Sequence, residues 1–279
     1  MPKWSVIDKN ITLKYNVIGI GVGFMRIMTS NIWGDYFENP VSVREDLLFK
    51  VFEKYSPDVL GMQEYTPGWY AGNMYKWLSD EYYPVGTELY DNINYVPMAI
   101  KKEYKLLNYG YEYLENTPDK SKGITWAVIE KDGKKFGVCN THFWWMTGTE
   151  HDLIRLDNAR QLSNIMMHLY KRYNCPVFAF GDMNTTISSG VFEIYKENRI
   201  IHLREVALEK DDVSSHHGDP VVTESGRYKG NKTDNDFNCS IDHIVGLGEN
   251  FTVLQYRIVE DIAALDATDH SPVYIDVKI

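Results

Sequence analysis

Six short polar motifs in this 279-residue chain carry side chains suited to a phosphate and a metal ion. They are Ser30-Asn31, Gln63-Glu64, Thr141-His142, Gly181-Asp182-Met183-Asn184, Ile241-Asp242-His243 and Thr268-Asp269-His270. Together they supply three aspartates, one glutamate, two asparagines and several histidines. Hard carboxylate and amide oxygens suit Mg2+, which takes few protein carboxylates and keeps water and phosphate in its shell; Mn2+ is a workable substitute. A cation held this way polarises a phosphoryl oxygen and stabilises charge as it builds. A histidine beside an aspartate is an oriented imidazole able to manage a proton. Phosphoryl transfer to water needs these parts and no covalent nucleophile.

The motifs sit where strands should end. Apolar runs precede Asn31, Gln63, Thr141 and Gly181, and another follows His270. Ligand clefts of open α/β sheets form at such ends. Between the runs, Ser42–Tyr55 reads as an amphipathic helix opened by a Ser42/Glu45 capping box. Trp69–Leu78 and Val191–Glu197 read as further helices, and His151–Arg172 has the clearest helical spacing. His216–Asn238 is polar and rich in turn formers, so it reads as a long loop with His216-His217 as a solvated pair. Strand runs interleaved with helices, without repeat or linker, predict one α/β domain over residues 25–279 behind an N-terminal extension, residues 1–24. Gly19, Gly21 and Gly23 lack the spacing and context of a dinucleotide fingerprint.

In this order and spacing the motifs resemble the endonuclease/exonuclease/phosphatase superfamily, the deoxyribonuclease I-like proteins, over nearly the whole chain. The resemblance implies a four-layer α/β sandwich: two mixed β-sheets packed face to face, with helices outside. It also implies roles. Glu64 is the principal metal ligand, with Asn31 and Asp269 close to the ion. Asp182 orients or activates the attacking water, Asn184 and His142 hold the scissile phosphate, and His270 handles a proton or stabilises charge while Asp242 orients it. Two positions depart from the usual pattern. Thr268 stands where serine is usual, keeping the hydroxyl, and His243 stands where tyrosine is common and is read as a packing residue. The expected activity is a Mg2+-dependent phosphoric ester hydrolase, a phosphodiesterase or phosphatase on a small or exposed substrate. A DNA or RNA endonuclease or exonuclease shares the same centre and is the alternative among enzymes. A catalytically silent binding module is the alternative of another class; it predicts the loss of a key residue, and none is missing.

Surroundings decide between substrates. The net charge of −10 disfavours long duplex DNA, which is gripped by a basic face. Trp33, Trp144 and Trp145 lie next to site motifs and either pack or offer stacking surfaces for a ring-bearing group. Arg227, with Lys229 and Lys232, either is a solvated loop charge or grips a second phosphate. The three cysteines, Cys139, Cys175 and Cys239, form no CxxC pair, so they read as free thiols of a reducing compartment. No window approaches the ~18 apolar residues of a membrane span. The expected location is the cytoplasm, or outside the cell if a leader has been removed.

Overall fold

In the computed structural model, residues 24–36, 39–87, 93–217, 221–224, 228–231 and 236–279 are described. The first part of the chain gives β1 (Met25–Asn31), α1 (Glu45–Tyr55), β2 (Val59–Gln63), α2 (Pro67–Ala71), α3 (Met74–Leu78), β3 (Tyr82–Val85) and β4 (Met98–Lys101). The middle gives β5 (Lys105–Tyr113), β6 (Gly123–Lys131), β7 (Lys134–His142), α4 (Thr149–Tyr173), β8 (Val177–Asp182), α5 (Gly190–Glu197), β9 (Ile201–His202), α6 (Leu203–Val206) and β10 (Glu209–Lys210). The last part adds β11 (Val221–Val222), β12 (Tyr228–Lys229), β13 (Asp242–Leu247), β14 (Thr252–Ile258), α7 (Ile262–Ala267) and β15 (Val273–Lys278).

Two mixed sheets result, of seven strands (β10-β14-β15-β1-β2-β4-β3) and six strands (β5-β6-β7-β8-β13-β9). They face each other across a core that includes Ile27, Ile275, Phe180 and Ile244. Leu162, Met166 and Leu169 of α4 cover the outer face of the six-stranded sheet. Leu48 and Phe52 of α1 cover the other sheet with Trp69 of α2 and Ala264 of α7. The chain therefore adopts the expected four-layer sandwich, in which apolar stripes of the helices and both sheet faces are removed from water.

A polar bolt pins the sheets together beside the site. Asn140 on β7 is fully buried, and its Nδ2 donates to the carbonyls of Met62, Val96 and Pro97 at 2.8–3.0 Å. Its Oδ1 accepts from Gln63 Nε2 at 2.5 Å. A side chain at Gly61 would meet Phe180 and Asn140 at 2.3–2.7 Å, so only glycine allows this approach of β2 to the facing sheet.

Several local expectations change. The helix expected from Ser42 starts at Glu45, behind a 3-10 turn over Val41–Val43, and no side chain caps it. The Glu45 carboxylate instead accepts from the backbone and side-chain nitrogens of Asn73 at 2.7 and 2.9 Å. The helix expected over Trp69–Leu78 divides into α2 and α3 around Gly72-Asn73. The loop expected over His216–Asn238 contains the β11–β12 hairpin and a 3-10 turn at Phe237–Cys239. No helix among the described residues is long and apolar enough to cross a membrane. Residues 1–23 of the expected extension, with Gly19, Gly21 and Gly23, lie outside the described residues.

Arg44, 1% exposed, ties the segment after β1 to the rest of the domain. Its guanidinium donates to the carbonyls of Ile32, Trp33, Gly34, Asn39 and Ala267 and lies over the Trp69 ring. Replacing it with methionine keeps the bulk but strands these buried acceptors. Arg44→Met is expected to cost about 3 kcal/mol of stability, read as a lower urea midpoint. An unchanged midpoint would refute this.

Candidate active site

Strand direction gathers the motifs at one edge of the sandwich. Parallel β1 and β2 place Asn31 opposite Gln63, so Glu64 follows beside Asn31. Parallel β7 and β8 place His142 opposite Asp182. Antiparallel β13 begins with Asp242 opposite Asp182. The segment between α7 and β15 is tied in by Thr268 Oγ1, which donates to the Asn31 carbonyl at 2.8 Å. Three turning points have left-handed backbones, at Trp33 (φ 56°), Glu64 (φ 59°) and Asn184 (φ 49°). Non-glycine residues avoid this region unless surrounding contacts hold them there, and such strain collects at functional sites. At Gly181 (φ 147°) a Cβ would lie 1.9 Å from the Thr141 carbonyl oxygen, so β8 can run beside β7 only with glycine.

Asp182, 2% exposed, is the centre of the cluster. Its Oδ2 accepts from Asn31 Nδ2 at 3.0 Å and lies 3.4 Å from His142 Nε2 and 3.9 Å from His270 Nε2. Its Oδ1 accepts the Asn184 backbone N–H at 2.9 Å. Burial, then the like charge of Asp242, pushes the Asp182 carboxyl up to about 7, against the pull of His270. The Asp242 and His270 side chains meet at 2.8 Å, from Oδ2 to Nδ1. Burial alone would strip the proton from His270, but the charges of Asp242, Asp269 and Asp182 outweigh it and hold the imidazolium well above its usual range. His142 is the opposite case. Burial, with Lys122 and His270 nearby, keeps its imidazole neutral, so its contact with Asp182 is no ion pair.

Glu64 Oε1 accepts from Asn31 Nδ2 at 3.1 Å, and Oε2 accepts the Gly34 N–H at 2.8 Å. Asp269 is half-buried, and its carboxyl is pushed up to about 6 by desolvation, against the pull of His270 and with the push of Glu64. Asn184 Nδ2 donates to the Phe143 carbonyl at 3.1 Å. The structure thus brings together Asn31, Glu64, His142, Asp182, Asn184, Asp242, Asp269 and His270.

The family model described as the endonuclease/exonuclease/phosphatase family matches residues 28–270. The chain belongs to the endonuclease/exonuclease/phosphatase family. Members of this family are phosphoester hydrolases, nucleases and phosphatases, that depend on a divalent metal. Exodeoxyribonuclease III of Haemophilus influenzae is 26% identical over 180 residues, 60% of this chain and 62% of the relative. The chain thus spans less than two thirds of that relative's length. An endonuclease/exonuclease/phosphatase from Bacteroides vulgatus has a similar structure, with a TM-score of 0.72, 21% identity and coverage of 92% of this chain and 99% of its own. A mannosyl-6-phosphatase from Bacteroides thetaiotaomicron also gives 0.72, at 16% identity over 91% and 100% of the two chains. The human Nocturnin catalytic domain, solved with a bound sulfate anion, gives 0.66, at 16% identity over 91% and 94%. At these identities the structures show the fold alone.

The donor set fits the family's metal. Four buried or half-buried carboxylates converge, and two of them, Asp182 and Asp269, hold their protons more tightly than usual because burial leaves their charge uncompensated. A hard divalent cation would relieve that strain. Ligand atoms of Asp182, Asp242 and His270 also lie within 4.8 Å of one another, a buried group able to hold a metal. Within that group, His270 Nδ1 and Asp242 Oδ2 already bond each other, so the imidazole keeps only Nε2 for an ion.

In this family member the expected aromatic surfaces are reduced to one. Trp33 is 6% exposed, with its carbonyl taken by Arg44 and Trp69; Trp144 is 3% exposed, and its Nε1 donates to His151. Both are packing residues, fixed by the turns that follow Asn31 and His142. Of the three, only Trp145, 57% exposed, presents its ring to solvent, with the Trp144 ring tilted against it at a centroid distance of 6.3 Å. Arg227 and Lys232 lie outside the described residues. His216-His217 is not a solvated pair. His217 is fully buried, and the His216 ring packs edge-on against His270 with centroids 5.0 Å apart.

Sequence reasoning missed Lys122. This buried lysine places Nζ 3.1 and 3.0 Å from the two ring nitrogens of His142, and burial lowers its pKa. It sits just before β6, whose pairing with β7 brings it back beside His142. Its sequence neighbours, Ser121 and Gly123 ahead of the apolar run from Ile124, carry no signal that marks it. Gln161 on α4 holds the same segment, accepting from Glu115 N and donating to the Tyr113 carbonyl.

Proposed function

We propose that this protein is a Mg2+-dependent phosphatase or phosphodiesterase acting on a small or exposed phosphate ester. The observation that carries the reading is the Asp182 carboxylate, with Asn31, His142 and His270 arrayed around one oxygen and Asp242 behind the His270 ring. Asn31, Glu64 and Asp269 would hold the ion, which supplies Lewis-acid polarisation of a phosphoryl oxygen.

The protein's own groups do the rest. Asp182, whose Oδ2 lies among Asn31, His142 and His270, orients a water and accepts its proton. The His270 imidazolium, fixed by Asp242, faces the centre with Nε2 and donates to the oxygen on which negative charge develops. Neutral His142 and the Lys122 Nζ present donors to the non-bridging oxygens. Asn184 keeps a second amide hydrogen for the same group while the first is bonded to the Phe143 carbonyl.

A small substrate is favoured because the positive charge is compact. The His270 imidazolium, with the Lys122 amine beside it, serves one phosphoryl group inside a chain of net charge −10, and repulsion works against a long polyanion. The identity with exodeoxyribonuclease III favours the nuclease reading. The two part in one experiment: kcat/KM with Mg2+ for duplex DNA and for a panel of sugar and nucleoside monoesters and diesters, at low and moderate salt. At least one small ester is expected to outpace duplex DNA at both salts. Duplex cleavage faster than every small ester would make the protein a nuclease.

A further inference from the structure

The segment Ser214–His217 lies outside the six motifs, yet it threads the centre of the site. It forms a short antiparallel bridge with the strand end carrying Asp269 and His270. His217 N–H donates to the Asp269 carbonyl at 3.0 Å, Ser271 N–H donates to the Ser215 carbonyl at 2.7 Å, and His216 pairs with His270. The His217 ring closes the bridge through Nε2 and Ser271 Oγ, 2.7 Å apart.

Ser215 is the link to β13. It is fully buried, and its hydroxyl donates to Asp242 Oδ2 at 2.8 Å. The same oxygen atom accepts the Asp242 and Ile241 backbone N–H groups at 3.1 and 3.3 Å. Its backbone N–H donates to Ser240 Oγ at 3.0 Å. Asp242 Oδ2 thus receives Ser215 Oγ and His270 Nδ1, while Asp242 Oδ1 is buried with no hydrogen-bond partner. A carboxylate is two-fold symmetric about its terminal torsion and turns easily unless bonds distinguish its oxygens. Both bonds fall on Oδ2, and of the two partners Ser215 is the one also tied to the backbone of β13, so its hydroxyl anchors the torsion.

We propose that Ser215 is a positioning residue of the catalytic centre, holding the Asp242 carboxylate in the rotation that aims His270 Nε2 at the phosphoryl site. The His216 ring, packed against the His270 face, limits the other freedom of the imidazole. The segment therefore registers three pieces that the sequence keeps far apart: the start of β13, the end of the α7–β15 connection and itself. This rests on the reading of Asp242 and His270 as the proton-handling pair.

The test is a double-mutant cycle in the full chain, Ser215→Ala in the wild type and in the Asp242→Asn background, on the best ester of the panel. Because Ser215 acts through Asp242, Ser215→Ala is expected to lower kcat on the order of 10- to 10²-fold, as small misplacements of reacting groups do, with KM nearly unchanged. In the Asp242→Asn background the same substitution is expected to change kcat by less than about twofold, because the two residues act as a unit. A folding defect would lower activity by the same factor in both backgrounds. Equal losses in both, or a Ser215→Ala enzyme with wild-type kcat, would overturn the proposal while leaving the hydrolase reading intact. A wild type inactive on every phosphate ester and nucleic acid would overturn both.

Discussion

Replacing His270 with alanine is expected to lower kcat on the order of 10²-fold or more, with a much smaller change in KM. The imidazolium is paired to Asp242 at 2.8 Å and points Nε2 toward the carboxylate of Asp182. A donor fixed in a buried site acts on charge that exists in the transition state and not in the bound ester, so its loss falls on kcat. His270→Gln separates the two contributions of the ring. It keeps a donor but not a group that titrates, and it should recover part of the loss if charge stabilisation dominates. The measurement is steady-state kinetics on the best ester. A kcat for His270→Ala within about threefold of wild type would remove His270 from the catalytic groups.

Chelation is expected to abolish turnover, and Glu64→Gln to reproduce most of that loss at moderate Mg2+. Glu64 sits on a left-handed turn with each oxygen held, one by Asn31 and one by Gly34 N–H. The amide keeps the shape but removes the charge and one acceptor. Changes to groups behind a metal's direct ligands already cost roughly 10–100-fold in affinity or activity, so the loss of Glu64, proposed as a direct ligand, should cost at least that. Calorimetric titration of Mg2+ into wild type and Glu64→Gln reads the affinity without turnover. Full activity in excess chelator, or equal affinity of the two proteins, would remove Glu64 from the metal site.

The motif ends were legible because apolar runs followed by a polar pair are strong local signals. Asn31, Glu64, His142 and Asp182 all stand at the end of a strand or one residue past it, and strands interleaved with helices marked one α/β domain, while the four layers came from the family resemblance. Local competition was less legible. Ser42 and Glu45 match a capping box, but Glu45 bonds Asn73, a residue 28 positions on. Trp33 and Trp144 have the composition of stacking platforms, yet the turns after Asn31 and His142 fold their rings inward. A tryptophan's spacing from a motif does not reveal which way its ring faces.

The sequence by itself determined the donor types and their order along the chain, and with them the class of chemistry, because hard oxygen ligands and oriented imidazoles suit few reactions. Only the tertiary structure decided which groups share one oxygen. The parallel pairing of β7 with β8 and the antiparallel pairing of β13 bring His142 and Asp242 to Asp182, although 40 and 60 positions separate them from it. It also recruited Lys122 and Ser215, whose neighbourhoods in sequence carry no signature. The physical reason is that hydrophobic periodicity reports which face of an element is buried. Strand register and the crossing of distant segments are set by packing and hydrogen bonds among residues far apart in the chain.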